Sequence, residues 1–344
     1  MNADRDASPE EGGIRIRPYE PGDEDAILRA WHKMFPWARR SLDEWNWEFR
    51  DAPLGTHCFV GVTPSGQVVS QFAGIPRRIQ VGSEERVFAE MVDSFVDPEF
   101  RIGLGKHGLF RRTVDAYVAH FGRPDRETLM YGLPNPPAYR IGNRFLNYND
   151  FYLVDALERA VGDASTLPPA PDFAGGSLTE AATIPPDADE LWDRVRGNFD
   201  IATVRDRRYL EWRFVARPGV TYDRLALRDA SGTLAGFVVL RHDWLRKERE
   251  RRITAVAEWM VDRRLPVAWT LIDAIARRAH EAGSEVVQYV FRPQSDEWKH
   301  LAEVGYHPVS TGFRLVGGTY DETVVPLSRL VSSWFITLGD FDVI

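Results

Sequence analysis

The sequence repeats one pattern of bulky residues at a spacing of 165 positions. Trp47 and Phe49 in the first half correspond to Trp212 and Phe214 in the second. Further matches at the same spacing, or one residue more, pair Glu44 with Tyr209, Pro53 with Pro218, Gly66 with Gly232, and Phe95-Val96-Asp97 with Met260-Val261-Asp262. A register kept across tryptophans, prolines and strand ends indicates two copies of one fold.

The two copies differ at one place, directly after the matched aspartates. After Asp97 the first copy has a long segment, Pro98 to Lys106, that contains Gly103 and Gly105. After Asp262 the second copy has only the segment Arg263 to Pro266. A loop able to hold a phosphate is therefore predicted in the first half alone.

Length and element order predict two domains. The chain has 344 residues, which exceeds the usual size of a single core. We expect a disordered N-terminus at 1–13, a first domain at 14–160, a linker at 161–177 and a second domain at 178–344. The fold class is α/β with a mixed sheet, and each domain is a mostly antiparallel twisted sheet flanked by helices. Both halves follow the order β, α, α, β, β, β, α, β, α, β.

Composition excludes several classes of function. The net charge of −8 argues against a nucleic-acid partner. No apolar run reaches the ~20 residues of a membrane span, and the first residues do not form a signal peptide, so a cytoplasmic protein without a membrane partner is expected. The single cysteine, Cys58, lies in an apolar run typical of a buried strand, and the eight histidines lack metal-ligand spacing, so no metal is expected.

The segment after Val96 and Asp97 has features of an anion site. A strand end, a glycine-containing turn and a helix predicted to start near Gly105 would direct free backbone N–H groups and the positive end of the helix to one place. Arg101 and Lys106 would add positive charge, and the glycines would let a diphosphate approach closely. An ordinary turn without a ligand is the alternative.

This element order, with Val96-Asp97-Pro98-Glu99-Phe100-Arg101 before the loop, resembles the GNAT superfamily of acyl-CoA-dependent acyltransferases. The resemblance covers Ile14 to about Asn147 and Leu178 to about Val316. It implies that the loop binds the pyrophosphate of acetyl-CoA, and that the strand residues Phe95 and Val96 bind the pantetheine arm through their backbone. Two registers each match only part of the family motif, Arg/Gln-x-x-Gly-x-Gly/Ala, and the one that keeps both glycines puts Phe100 at the Arg/Gln position. One uses Gly103 and Gly105, and the other uses Arg101, which places Leu104 and Lys106 at the glycine positions.

The segment Asn135 to Gly142 resembles a shortened form of a second GNAT signature. The resemblance implies that Asn135 contacts the pantetheine and that Tyr139 protonates the leaving thiolate. Tyr131, at the end of the preceding strand, is the alternative acid. Both tyrosines could instead be core aromatics with surface hydroxyl groups.

Acyl transfer to an amine needs a base that removes an ammonium proton. The stretch around Glu90 resembles the strand in which some GNAT enzymes place a glutamate base. Asp93 points to the opposite face of a regular strand, so the two share a site only if a bulge intervenes. The alternative for Glu90 is a buried ion pair with Arg77 or Arg78.

Together these features predict an acetyl-CoA-dependent N-acyltransferase. The first half would bind acetyl-CoA and transfer the acetyl group directly to a small-molecule amine or a peptide, while the second half, a degenerate copy, would shape the acceptor site. Two alternatives remain open. One is a Fem-like aminoacyl transferase, against which the acidic charge counts, and the other is a non-catalytic binding protein of the same fold.

Overall fold

The computed structural model describes residues 13–101, 108–146, 148–162, 173, 175–242 and 251–343. Residues 1–12 of the predicted N-terminal segment 1–13, the loop with Gly103, Leu104, Gly105 and Lys106, and most of the predicted linker lie outside the described residues. Within the described ranges, no helix is long and apolar enough to cross a bilayer.

The strands are β1 Arg15–Pro18, β2 His57–Val62, β3 Val68–Val81, β4 Glu84–Val96, β5 Leu129–Gly132, β6 Asn149–Ala160, β7 Ser177–Glu180, β8 Ile201–Thr203, β9 Asp223–Arg228, β10 Leu234–Arg241, β11 Ile253–Val261, β12 Val286–Tyr289, β13 His307–Thr319 and β14 Trp334–Phe335. The helices are α1 Glu24–Met34, α2 Leu42–Trp45, α3 Leu109–Phe121, α4 Pro136–Phe145, α5 Ala188–Val195, α6 Arg207–Phe214, α7 Leu265–Glu281, α8 Asp296–Glu303 and α9 Leu327–Ser333. A π-helical turn, Asn46–Arg50, extends α2.

Local sequence signals explain several of these elements. Ser41 caps α2 through a capping box, in which its hydroxyl accepts from the Glu44 N–H at 3.1 Å and the Glu44 carboxylate accepts from the Ser41 N–H at 2.7 Å. The predicted antiparallel hairpin of β2 and β3 is confirmed, and so is the burial of Cys58. The predicted start of α3 near Gly105 is wrong, because Gly108 has an extended backbone and the helix begins at Leu109.

The described strands form one continuous sheet in the order β1-β2-β3-β4-β5-β13-β6-β12-β11-β10-β9-β7. It is mostly antiparallel, with parallel pairs β4/β5 and β11/β12, which confirms the predicted mixed α/β class. The two halves exchange their last long strands. β13 of the second half pairs with β5, and β6 of the first half pairs with β12. Neither half therefore completes its sheet alone.

The two parallel strand pairs, β4/β5 and β11/β12, run in opposite directions within the sheet. β5 runs antiparallel to β13, β13 antiparallel to β6, and β6 antiparallel to β12. The parallel pair β11/β12 therefore runs opposite to the parallel pair β4/β5. The carboxyl ends of the two pairs point to opposite edges of the sheet.

Trp47 and Trp212 form a reciprocal contact between the two halves. The indole N–H of Trp47 donates to the carbonyl of Trp212 at 2.7 Å, and the indole N–H of Trp212 donates to the carbonyl of Trp47 at 2.8 Å. The rings stack with centroids 5.4 Å apart. Because the two residues occupy matched positions of the repeat, this self-complementary pairing is what two related copies facing each other across a twofold axis would make, and it supports the predicted repeat.

The C-terminal segment runs buried between the halves. β14 pairs with β8, and β8 pairs with the far end of β3. The carbonyl of Gly339 then accepts hydrogen bonds, each 3.0 Å long, from Arg77, Tyr209 and Arg213. A side chain at Gly339 would not fit, since a Cβ there would lie 2.7 Å from the ring of Phe214.

We expect Trp47→Phe and Trp212→Phe each to lower the free energy of unfolding by about 1–3 kcal/mol, because each leaves a buried carbonyl without its donor. Urea denaturation measures the change. Trp37→Phe is the control, since Trp37 is 72% exposed and its replacement should change little. A loss no larger in the two buried variants than in Trp37→Phe would contradict a stabilising role for the reciprocal bonds.

Candidate functional site

β4 and β5 separate at their carboxyl ends and leave a cleft in the first half. Their parallel pairing covers Phe88 to Glu90 on β4 and ends at Tyr131 on β5. Just beyond, a Cβ on Gly132 would lie 3.3 Å from the carbonyl of Met91, so the absence of a side chain lets the backbones stay close where they begin to part. Among the described residues, the edge of β4 beyond Glu90 that faces β5 has no strand partner.

A bulge in β4 alters the directions of its side chains. The register against β3 shifts between Gln71 and Ala73, opposite Asp93 and Ser94. Asp93 has a φ of 50°, a left-handed conformation that aspartate tolerates better than most residues. This is the exception under which the sequence allowed Glu90 and Asp93 to share one site.

Arg40, in the segment before α2, links two carboxylates. Its guanidinium lies 2.8 Å from the carboxylate of Glu48 and is also paired with Asp93 on the bulge. The face of Trp31 lies beneath the guanidinium, with 5.1 Å to the ring centroid. Arg40 is thereby fixed between the helical layer and the bulged strand.

Glu90 lies in the buried ion pair that the alternative interpretation predicted. One of its oxygens is 2.5 Å from the guanidinium of Arg77 on β3, and the other accepts from the backbone N–H of Asp342 at 2.9 Å. Glu90 is buried, and its carboxylate is held by these two donors. Its assignment as the base stays a prediction.

Asp342 brings a further acid to this place from the end of the chain. Burial, together with the nearby charges of Glu90 and Asp93, raises the pKa of Asp342 to about 8. Burial also raises the pKa of Glu48 to about 7, although Arg40 opposes this shift. We refer to Glu48, Glu90, Asp93 and Asp342, with Arg40 and Arg77, as the carboxylate cluster.

A groove with several charged side chains adjoins the carboxylate cluster. It has a volume of about 630 Å³ and is lined by residues of α1, α2 and the segment between them: His32, Pro36, Ala38, Arg39, Arg40, Ser41 and Glu44. Arg40 belongs to both the groove and the cluster. A molecule in the groove could therefore reach the cluster from the side of the helices.

The second half contains a matching but sealed arrangement. Arg205 lies 2.8 Å from Glu258 and 2.8 Å from Asp340, and all three side chains are fully buried. Arg205 and Glu258 stand 165 residues after Arg40 and Asp93, whose side chains are 16% and 12% exposed. Only the first-half pair is thus partly open to solvent. The spacing of 165 applied to charged residues would have revealed both pairs, a signal that the sequence analysis missed.

The remaining predicted residues occupy separate places. Asn135 caps α4, accepting from the Ala138 N–H at 2.9 Å. Tyr139 donates to Asp150 at 2.9 Å, and this bond raises the pKa of Tyr139. Tyr131 is buried and donates to the carbonyl of Asp340 at 3.1 Å. Phe95 and Val96 are buried in β4, and the side chain of Arg101 donates to the carbonyl of Val96 at 3.0 Å.

The predicted phosphate loop, with Gly103, Leu104, Gly105 and Lys106, lies outside the described residues, between Arg101, five residues after the end of β4, and the first turn of α3. Within the described ranges, no group of His, Cys, Asp and Glu side chains is arranged to hold a metal ion. The geometry thus places the strand edge, Arg101 and the carboxylate cluster around the first-half cleft.

No family model matches the sequence, and no curated protein is significantly similar to it. The structure is similar to several solved ones. A GCN5-related N-acetyltransferase from Anabaena variabilis gives a TM-score of 0.67 at 13% identity, covering 90% of this chain and 73% of that chain. One from Kribbella flavida gives 0.63 at 15% identity, covering 89% and 71%. The N-myristoyltransferase of Saccharomyces cerevisiae with bound myristoyl-CoA gives 0.57 at 12% identity, covering 91% and 84%. Since each likeness spans both halves, the protein has a two-domain GNAT fold.

Proposed function

We propose that the protein is an N-acyltransferase that moves an acetyl group from acetyl-CoA to an amine in its first half. The observation that carries this proposal is the carboxylate cluster, which lies at the bulge of β4 where the cleft opens. Its counterpart around Arg205 is fully buried, whereas Arg40 and Asp93 of the cluster are partly open to solvent and Arg40 also lines the groove. The likeness to N-acetyltransferases of the same fold supports the same reaction class.

Acetyl-CoA would lie between the separated ends of β4 and β5. The edge of β4 that has no strand partner beyond Glu90 offers backbone groups of the kind that a pantetheine arm pairs with. Phe95 and Val96 stay the proposed contacts there, and the Val96 carbonyl would exchange its bond from Arg101 for one from the ligand. The diphosphate would lie at the loop with Gly103 and Gly105, where Arg101 and Lys106 supply positive charge. Asn135 and Tyr139 stay the proposed contacts for the pantetheine and the leaving thiolate.

The acceptor amine would approach along the groove next to Arg40. Attack on the thioester carbon requires an uncharged amine, so an ammonium proton must first be accepted. We assign this role to the paired carboxyl groups of Glu90 and Asp342. Asp342 is the member of the pair that exchanges the proton, because its pKa of about 8 is close to the pH at which a general base works best near neutrality. The carboxylate of Glu90 is instead held by Arg77.

The second half would support the acceptor site and the fold without binding a second CoA. The connection between β11 and α7 holds only three residues, Asp262 to Arg264, and has no glycine. The second half also supplies Arg213 and Tyr209, which hold the C-terminal segment that carries Asp342. The acyl site in the first half therefore depends on the presence of the second.

Isothermal titration of the whole protein with acetyl-CoA should give micromolar binding. Gly105→Glu should weaken it by roughly tenfold, because it places a side chain and a negative charge at the diphosphate. Arg277→Glu, an exposed charge change on α7, is the control and should leave the affinity unchanged. Absence of any binding by the folded wild-type protein would favour the non-catalytic alternative, and equal affinity in Gly105→Glu would place the diphosphate elsewhere.

Glu90→Gln should lower kcat and leave the affinity for acetyl-CoA intact. It should also destabilise the fold by about 3 kcal/mol, because Arg77 then stays buried without its carboxylate. A turnover assay that measures the release of free CoA thiol gives the effect on kcat, and urea denaturation gives the effect on stability. Unchanged turnover in the folded variant would remove Glu90 from the mechanism.

Asp342→Asn should lower kcat by roughly 10²–10⁴-fold, the range typical for loss of a general base. In the wild type, kcat should rise with pH up to about 8 as Asp342 ionises. The variant should lose this rise when the same acceptor is used, so that ionisation of the amine itself is common to both profiles. Superimposable profiles would contradict the role of Asp342.

A stability measurement on the same variant gives an independent check. The folded protein keeps the Asp342 proton up to a pH of about 8, whereas the unfolded chain loses it near pH 4. The folded state thus binds more protons between these values, and its stability falls as pH rises through them. Residue 342 faces the same charged groups in the wild type and in the variant, namely Glu48, Glu90, Asp93 and Arg40. Asp342→Asn should therefore flatten the curve of stability against pH only in the range in which Asp342 titrates.

A further inference from the structure

The second half has a cavity of its own at the carboxyl ends of β11 and β12. Its volume is about 280 Å³, near the lower end of the range for small-molecule sites. The walls are apolar and largely aromatic: Phe199, Trp259, Val261, Ile272, Phe291 and Leu301. It lies at the edge of the sheet opposite the first-half cleft, so it is separate from the acyl site.

One polar atom at this cavity lacks a partner. His300 of α8 lines the cavity, and its ring packs edge-on against Trp269 with centroids 5.1 Å apart. Its Nε2 atom is buried and has no hydrogen-bond partner among the described residues. Burial lowers the pKa of His300, so the ring is neutral at pH 7 and Nε2 can accept a hydrogen bond. A buried polar atom of this kind is stabilised by a ligand that pairs with it.

The mouth of the cavity is acidic. The carboxylates of Asp262, Asp296, Glu297 and Glu303 line it, with the cations Arg263 and Lys299. Arg263 is already paired with Asp296 at 3.0 Å and Glu297 at 3.1 Å, and its guanidinium lies over Phe199. Glu303 approaches His300 Nδ1 at 3.9 Å. Asp262 is likewise paired with Arg264 at 3.1 Å. Four carboxylates against the three cations Arg263, Arg264 and Lys299 leave one net negative charge, which favours a cationic ligand over an anionic one.

The same features disfavour CoA in this cavity. A diphosphate at the start of α7 would meet Asp262, whose carboxylate already accepts from the Arg264 N–H at 3.1 Å. Arg263 could pair with a phosphate only after leaving Asp296 and Glu297. The cavity therefore corresponds in position to the first-half cleft, but its walls and charges suit a molecule other than CoA.

We propose that this cavity is a second ligand site for a small amine with an apolar body. The hydrocarbon part of the ligand packs against Trp259, Ile272 and Phe291. Its ammonium group donates to His300 Nε2 and faces the carboxylates of the mouth. Because the site is remote from the first-half cleft, its occupancy does not depend on acyl transfer.

Isothermal titration of the whole protein with hexylamine, hexanol and hexanoate tests the proposal. The three probes share one hydrocarbon chain and differ in the head group. Hexylamine should bind roughly tenfold more tightly than hexanoate, with hexanol between them, as expected for one charge-assisted hydrogen bond. Equal binding of all three probes, or tighter binding of hexanoate, would overturn the assignment of an amine.

Three variants locate the site. His300→Phe keeps the ring against Trp269 but removes Nε2, and should weaken hexylamine binding by roughly tenfold. Ile272→Trp and Ala268→Phe both fill the cavity and should abolish binding. Ala268 is only half-buried, so its replacement gives a folded variant even if Ile272→Trp does not fold.

Two controls separate this site from the first-half cleft. Asp342→Asn should bind hexylamine as the wild type does, and Ala268→Phe should bind acetyl-CoA as the wild type does. If hexylamine binding survives both cavity-filling variants, the amine is held elsewhere and the proposal fails. If Ala268→Phe abolishes acetyl-CoA binding, the cavity is a CoA site and both this proposal and the first-half assignment of CoA are wrong.

Discussion

The carbonyl of Gly339 is the point at which the two halves and the C-terminal segment are joined. Arg77 comes from the first half, and Tyr209 and Arg213 come from the second, and all three donate to this one oxygen. Arg77 also pairs with one carboxylate oxygen of Glu90. Three residues after Gly339, the backbone N–H of Asp342 donates to the other oxygen of Glu90. The same arginine therefore anchors the segment and orients the carboxylate cluster. Glycine is required at this point for a separate reason, because a Cβ there would lie 2.7 Å from the ring of Phe214 and 2.8 Å from the carbonyl of Ala257.

The fold class was predictable because its signals are local or periodic. The capping box at Ser41, the hairpin of β2 and β3 and the matched tryptophans are all readable within short windows or at one spacing. The exchange of β6 and β13 was not predictable in the same way. Alternating hydrophobicity identifies a strand but carries no information about which strand it pairs with.

The candidate site was predicted in part for the same reason. Glu90 and Asp93 were found because they lie in one strand, and the bulge was recognised only as an option. Asp342 lies 252 residues after Glu90, and no local pattern connects the two. Arg40 and Arg205, in contrast, obey the spacing of the repeat and could have been found by comparing charged residues as well as aromatic ones. The helix start at Leu109 was missed because Gly108 and Gly105 give the same signal in sequence.

The exchange of last strands has a consequence for how such a chain can evolve. Each half supplies a strand that closes the other half's part of the sheet, so loss of either half would expose an unpaired edge. Selection for folding alone would therefore preserve the second half, whatever its own cavity binds.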